Sequence, residues 1–491
     1  MTNPTLIQYF EWYLPEDGTL WHRCAAQAEK LASLGINMAW LPPAYKGNGG
    51  SKDVGYAVYD TYDLGEFYQK GSIETKYGTK EDYLTCIRTM QEKGIHVLAD
   101  IVLNHRIGAD DFETIKATEV EAKNRYKNIS LEASKDVTVW TRFNFDARNG
   151  KYSDFKWNWK HFDGTDWDDI TKRNMLLRFY GKTWDDDVDP ENSNYDYLMG
   201  ADLDMSHPEV LKELDTWGKW YLDITGVNGM RLDAVKHIDA DFFKKWLNDM
   251  RSYKKENFFA VGEYWSSNLN HLTAYLKAAD HCMSLFDVPL HYHFHEISHA
   301  AGNYDLSLIY KDTLVEKDPW HAVTFVDNHD TQPGQALQSY VNSWFKPLAY
   351  ALILLNQHGL PCVFYGDLYG IPHDTIKPVT ELPKLIYLRK QAAYGTQHLY
   401  FDHPNVVGFT REGDHEHPDS GLALLISDHV QSQKKMFIGK HFAHKTFYNI
   451  FGKNLETVAI DANGYGVFNV GSGSLSVWVT KKMYENVQIH I

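Results

Sequence analysis

Cysteine is scarce in this chain: Cys24, Cys86, Cys282 and Cys362 are the only four in 491 residues, and no CxxC pair occurs. That scarcity excludes a disulfide framework and a cysteine zinc site, and leaves reduced thiols in or near the core. Long basic runs are also missing. Lys and Arg number 49 against 65 Asp and Glu, a formal net charge of −16. A polyanion such as DNA or RNA is repelled over most of such a surface, so nucleic acid is excluded as a partner. No apolar run reaches the roughly 20 residues of a membrane span. The opening "MTNPTLIQYFEWY" has neither a basic n-region nor an apolar h-region, which points to a cytoplasmic protein with no membrane association. No histidine spacing matches a zinc motif such as HExxH.

What is present is a large core and many rings. Hydrophobic residues make up 43% and aromatic residues 14%, with 15 Trp and 31 Tyr. Most rings belong to the core. Others crowd polar segments, where flat faces suit the apolar faces of neutral sugars. A chain of this length is expected to form two or three domains.

One unit recurs: a helical segment, a glycine, an apolar strand, then polar residues. Examples are "AEKLASLG-INMAWLPP", "YLTCIRTMQEKG-IHVLADIVLNH", "LKELDTWGKWYLDITG-VNGMRLDAVKH" and "YALILLNQHG-LPCVFYGD". Gly35, Gly94, Gly226 and Gly359 stand where a left-handed helix C-cap is wanted. Val210, Leu214, Trp217, Tyr221 and Ile224 trace one helical face, and Pro208 suits the first turn. Apolar strands alternating with helices predict a parallel sheet covered on both sides. The candidates are "TLIQYFEW", "INMAWL", "HVLADIVL", "VNGMRLDA", "FFAVGEYW", "MSLFDV", "AVTFVDNHD" and "PCVFYG". Eight of them predict an α/β fold, a closed (β/α)8 TIM barrel, with an open doubly wound sheet as the alternative.

Two regions break the repeat. About 100 residues follow the third strand where a few would suffice, and they are rich in Asp, Trp, Asn and Tyr. We expect a first barrel part at 1–103, an inserted domain at 104–206, a second barrel part at 207–395, and a C-terminal antiparallel β-sandwich at 396–491. The last region is read from short strands such as "VVGFTREG", "GLALLISD", "KKMFIG", "KTFYNIFG" and "GSLSVWVTK".

Barrel enzymes carry their chemistry at the C-terminal ends of the strands. Here those ends carry Asn104, His105, Asp233, Glu263, His329 and Asp330. In "GMRLDAVKH" a strand puts Arg231 and Asp233 on one face, opposite Leu232. Charge in a buried strand is costly unless paired or used. One use is a prepared nucleophile, with Arg231 lowering the Asp233 pKa; the other is a structural ion pair. Glu263 follows "AVG", an apolar setting that raises a carboxyl pKa and suits a general acid. Asp330 can stabilise a cationic transition state, and two carboxylates are what glycosidic cleavage commonly requires.

"DIVLNH", "GMRLDAVKH", "GEYW" and "FVDNHD" resemble, in order and spacing, the four signature regions of the α-amylase family of retaining glycosidases. "QYFEWY", "WLPPAYKG", "VGYAVYDTYDLGEF", "KWNWKHFDGTDWD" and "NYDYLMGADLDMSHPEV" extend the likeness over essentially the entire chain. It is greatest to bacterial liquefying-type and intracellular members. The resemblance implies endo-acting hydrolysis of α-1,4-glucosidic bonds in starch, glycogen or maltodextrins with retained configuration. It implies Asp233 as nucleophile, Glu263 as acid/base and Asp330 as transition-state stabiliser. Arg231, His105 and His329 would line the cleavage subsite, with Tyr56 stacking on the sugar, Lys236 and His237 on the leaving side, and Asp100 in support of Arg231.

The insertion is dense in Asp, and calcium favours six to eight hard oxygens. The resemblance implies a structural Ca2+ held by Asn104, Asp196, Asp202 and the His237 carbonyl. A second metal position would draw on Asp163, Asp185 and Asp204, weakened because Ser206 stands where an aspartate is usual. A third is not expected, since Pro404 and Asn405 replace a His-Asp pair and leave Asp428. Met230 stands where Phe is common, a mild change. The expected partner is an α-glucan, and the expected state a monomer. The rival readings are a glucanotransferase, exo-acting or α-1,6 enzyme of the same family, a carbohydrate-binding barrel without catalysis, and a metal-dependent barrel hydrolase.

Overall fold

The computed structural model describes residues 3–129 and 134–491. Its centre is a closed parallel barrel of β1 (Leu6–Gln8), β2 (Met38–Trp40), β3 (His96–Ile101), β4 (Gly229–Leu232), β5 (Phe259–Gly262), β6 (Ser284–Phe286), β7 (Ala322–Phe325) and β8 (Leu360–Phe364). Each strand pairs with its neighbours in the chain, and β8 closes on β1 through Leu6 opposite Cys362. The expected closed barrel is therefore the fold, and the open sheet is excluded. The strands are short and almost wholly buried, as a sheet covered by helices requires.

The helices follow local rules. In Pro208–Thr225 the His207 side chain accepts the Glu209 N–H, Pro208 opens the first turn, and Gly226 caps the end at φ 63°. Val210, Leu214, Trp217 and Tyr221 are buried on its inner face, with Ile224 half-buried at the edge. Lys80–Glu92 begins with a capping box between Thr79 and Asp82, and Gly94, one residue past the cap, has φ 77°. Gly359 departs from the expected pattern. The helix ending at Leu354 is capped by Leu355, four residues short of it. Arg389 donates to the Leu354 and Asn356 carbonyls and Arg411 to that of Leu355, so arginines satisfy the carbonyls a glycine cap would have served.

Between β3 and the helix at Pro208 lies an antiparallel sheet running from His105–Arg106 to Ala201–Leu203. Those two short strands pair, Asp202 opposite His105, and tie both ends of the insertion to the barrel mouth. The C-terminal region is a six-stranded antiparallel sheet starting at Gln397, with a two-stranded sheet, Ser432–Phe437 and Tyr465–Val470, packed on it. Helix Lys481–His490 ends the chain, where the sequence reading had only strand: Thr480 caps it and Met483 and Val487 bury its inner face. Cys24, Cys86 and Cys362 are buried and Cys282 half-buried, all as free thiols. No helix among the described residues is long and apolar enough to cross a membrane.

Candidate active site

The barrel brings Asp233, Glu263 and Asp330 together in one cleft of about 450 Å3, with Tyr56, His105, Lys236 and His237 in its lining. The ladder aims them. The Asp233 N–H donates to Ile101 on β3 and the Glu263 N–H to Leu232 on β4, each at 2.9 Å. Both carboxyls thus leave the sheet one residue beyond the strand end. Ala234 follows at φ 50°, a left-handed turn uncommon outside glycine, which swings the chain away so that Asp233 faces open space.

Arg231 lies beneath this floor with a side chain 1% exposed. Its Nη1 donates to Asp100 Oδ1 at 2.8 Å and Asp233 Oδ1 at 2.6 Å, and its Nη2 to Glu263 Oε2. Asp100 is held in turn by Trp40 Nε1 at 2.9 Å and the Tyr56 hydroxyl at 2.8 Å. One guanidinium therefore serves three carboxylates. Burial alone would lower its pKa, but Asp100 and Glu263 outweigh that and hold it well above the ordinary value.

The electrostatics correct one expectation. Arg231 does lower the Asp233 pKa, yet burial raises it more and Asp100 adds to the rise, so the net value is pushed up to about 6. Asp233 remains ionised at neutral pH, with less margin than the pair alone implied. Burial, and then the Asp233 charge, raise Glu263, with Arg231 opposing. Glu263 and Asp233 also share a hydrogen bond, which lowers the latter and raises the former. That shared bond acts in opposite senses on the two carboxyls, while burial raises both. Asp330 is raised well above its ordinary range by burial and then by the Glu263 charge.

The histidines are neutral. Burial and then Arg231 drive His329 far down; burial takes His105 to about 4 and His237 to about 3. His329 bonds Gln8 through Nδ1 at 3.0 Å and stands 3.3 Å from Asp330 through Nε2. His105 Nε2 donates to the Tyr56 carbonyl at 2.9 Å, leaving its buried Nδ1 with no partner among the described residues. Lys236 reaches Glu191 and the Trp265 carbonyl, and His237 Nδ1 donates to the Tyr195 carbonyl at 2.6 Å.

The cleft walls contain residues the motifs did not single out. Trp12, Tyr56 and His329 are parallel, Trp12 lying 2° from Tyr56 at 6.1 Å and Tyr56 10° from His329 at 5.1 Å. Tyr195, Met199, Trp265 and Leu337 complete the apolar rim. Trp12 and Tyr195 lie inside quoted motifs, "QYFEWY" and "NYDYLMG". Docking of the insertion on the barrel brings the Tyr195 ring to the cleft, while Trp12 follows β1 and is held there by its backbone N–H on Gln332 at 3.0 Å.

Beside the cleft, Asp163, Asp185, Asp196 and Asp202 are buried together. Among the described residues Oδ2 of Asp163, Asp185 and Asp202 has no partner. Burial and mutual repulsion push Asp185 up to about 9, Asp196 to about 7, and Asp163 and Asp202 well above the carboxylate range. Orphaned hard oxygens in a repelling group fit a hard cation. Carboxylate oxygens of Asp163, Asp185 and Asp204 come within 4.8 Å of one another. Asn104 donates to Asp202 Oδ1 at 3.2 Å and the Asp185 N–H to Asp196 Oδ2 at 2.8 Å. Asp204 differs. Burial would raise it, but the Lys182 ammonium and the Ser206 hydroxyl outweigh this and hold it low. In the C-terminal domain, Asp428 is taken up by His429 and Asn405.

Comparison with known proteins agrees with this geometry. The family model described as "Alpha amylase, catalytic domain" matches residues 25–398 and that described as "Alpha-amylase C-terminal" matches 422–479. The chain is 53% identical to an alpha-amylase of Geobacillus stearothermophilus, over 98% of its own length and 87% of that protein's. It is 43% identical to the cytoplasmic alpha-amylase of Escherichia coli (strain K12), over 98% of this chain and 100% of that one. In fold it is similar to the crystal structure of an Anoxybacillus alpha-amylase, with a TM-score of 0.64 at 18% identity, covering 98% and 97% of the two chains.

Proposed function

The chain belongs to the α-amylase family and hydrolyses α-1,4-glucan bonds, and on that premise we propose that it cuts inside the glucan with retention at C1. The observation that carries the reading is the pairing of Asp233 and Glu263, two adjacent buried carboxyls held over one guanidinium at the barrel mouth. Asp233, ionised above about pH 6, attacks C1. The glycosidic oxygen takes the Glu263 proton and leaves with the bonding pair. The covalent ester is then hydrolysed by a water whose proton returns to Glu263, and Asp233 leaves C1 as carboxylate. Asp330 faces the cationic transition state. His105 and His329, both neutral, bond sugar hydroxyls. Tyr56 supplies a ring face, with Trp12 beside it, and Lys236 and His237 bind the leaving side.

A resident Ca2+ would stiffen the joint between barrel and insertion. Asn104, Asp196, Asp202 and the His237 carbonyl would hold it, so His237 couples this joint to the cleft. Asp163 and Asp185 suit a second cation, while Asp204 is already neutralised by Lys182. We assign the domains to 1–103, 104–206, 207–395 and 396–491, and expect a cytoplasmic monomer acting on glycogen or maltodextrins. The test is amylose with Ca2+, following iodine colour and reducing ends together. Early loss of colour with few new ends supports internal cleavage. Slow loss of colour with many ends indicates exo-action and overturns it.

A further inference from the structure

Away from the cleft, at the N-terminal ends of the barrel strands, three metal-ligating side chains converge from two loops. His281 lies two residues before Met283, in the turn leading into β6. Asp318 and His321 form the turn leading into β7, closed by His321 N–H on the Asp318 carbonyl at 3.1 Å. Asp318 Oδ2 is 2.8 Å from His321 Nδ1 and 3.9 Å from His281 Nε2. One ligand atom from each lies within 4.8 Å of the others. Among the described residues the two imidazoles are the only ion-pair partners of Asp318; no lysine or arginine reaches it.

We propose that His281, Asp318 and His321 form a transition-metal site, filled by Zn2+, that staples the loops preceding β6 and β7. The chemistry selects the ion: two imidazoles and one carboxylate suit zinc-like metals rather than the oxygen-seeking calcium. Metal–ligand lengths of about 2.0–2.2 Å at a tetrahedral angle set ligand atoms about 3.3 Å apart. The two separations from Asp318, 2.8 and 3.9 Å, bracket that spacing, and the two imidazole nitrogens, within 4.8 Å of each other, close toward it around an ion. The fourth position is open to water.

Two further features support the assignment. Asp280 and His281 both hold φ 53°, consecutive left-handed residues of types that enter that region more readily than most. That turn carries the His281 ring toward Asp318. Among the described residues neither ring accepts a backbone N–H; His321 Nδ1 donates to Asp318 at 2.8 Å, and an ion can displace that proton with the ring N–H moved to Nε2. The contrast is the group His161, His207 and Glu209, equally clustered. There Nδ1 of His161 accepts the Asn158 N–H and Nδ1 of His207 accepts the Glu209 N–H. Each ring must then carry its proton on Nε2, which bars that nitrogen from a metal. The strands to be joined are already neighbours, Leu285 pairing with Ala322, so binding stabilises the native barrel and not an unfolded chain.

The experiment is Zn2+ titration of the Ca2+-saturated protein by calorimetry, with metal counted after dialysis and Tm recorded. Parent is compared with His281→Ala, His321→Ala and the isosteric Asp318→Asn. The expected result is one tight equivalent and a raised Tm in the parent. Each variant should lose affinity by more than the roughly 10–100-fold that follows removal of an outer-shell partner, together with the Tm gain. No tight equivalent in the parent, or the same count and Tm gain in the variants, overturns the proposal. Asp318→Asn keeps the size and turn of the parent, so a folding failure of an alanine variant does not shield it.

Discussion

Removing Arg231 tests the electrostatics of the floor most directly. Its Nη1 stands 2.6 Å from Asp233 Oδ1, which puts the charge centres about 4 Å apart. At an effective dielectric near 20 that attraction is worth about 4 kcal/mol, or roughly three pH units. The Asp233 pKa already sits at about 6, with burial and Asp100 lifting it and Arg231 holding it down. Loss of the cation can only raise it further. With Asp233 as the proposed nucleophile, attack requires its ionised form, so kcat/KM in the parent should fall as pH drops through about 6. In Arg231→Met that acidic limb moves up by roughly two to three units, and the ionised fraction at neutral pH falls about a hundredfold. Arg231→Lys keeps the charge but not the fork, and its limb moves much less. The assay is kcat/KM on a soluble chromogenic maltooligosaccharide across the pH range, with circular dichroism as the folding control. A uniform loss of rate with the limb unmoved would refute the reasoning, because orientation rather than charge would then be the contribution of Arg231.

Other outcomes follow from the same geometry. Asp233→Asn should lose hydrolysis by at least roughly 10⁴-fold with its fold and Tm intact; retained turnover would remove Asp233 as nucleophile. Chelation should make stability pH-dependent in a defined direction. The buried aspartates hold protons in the folded chain up to about pH 7 for Asp196 and about 9 for Asp185, but only to about 4 when unfolded. The folded state binds the extra protons, so Tm in chelator falls as pH rises through that window. With Ca2+ added the fall should vanish, and a flat Tm in chelator would contradict the assignment. Lys346→Met should cost about 3–5 kcal/mol in denaturant unfolding. Its side chain is 1% exposed, and its ammonium lies 2.8 Å from Asp327 and bonds Asp367. Asp327 also holds Thr331, next to Asp330, so a loss below about 1 kcal/mol would show that the triad is not the anchor of this loop.

Much of the molecule was legible in the order of its residues because the signals are local. Eight apolar runs between helical segments are enough for a parallel barrel, since short strands buried on both faces need crossover helices and close when eight are available. Alternation along "GMRLDAVKH" put Arg231 and Asp233 on one face before any coordinates. Caps at Thr79 and Gly226, and the turn at Pro208, are backbone chemistry confined to a few residues. The four motifs carried the family because each couples a strand end to a fixed side chain.

Long-range packing decided the rest. The Asp233 pKa depends on burial and on Asp100, which lies more than a hundred residues away and enters only through the pairing of β3 with β4. Tyr195 reaches the cleft only because the insertion folds over the barrel mouth, and Trp12 only because the barrel brings the end of β1 near Gln332 in the loop after β7. The arginines that replace a glycine cap after Leu354 come from beyond β8. The aspartates beside the cleft repel one another only once Asp163 and Asp202 are brought together by a sheet whose short strands give a weak pattern. Local order named the elements and the reactive groups; distance, dielectric and mutual charge, which exist only in the folded chain, set what those groups can do.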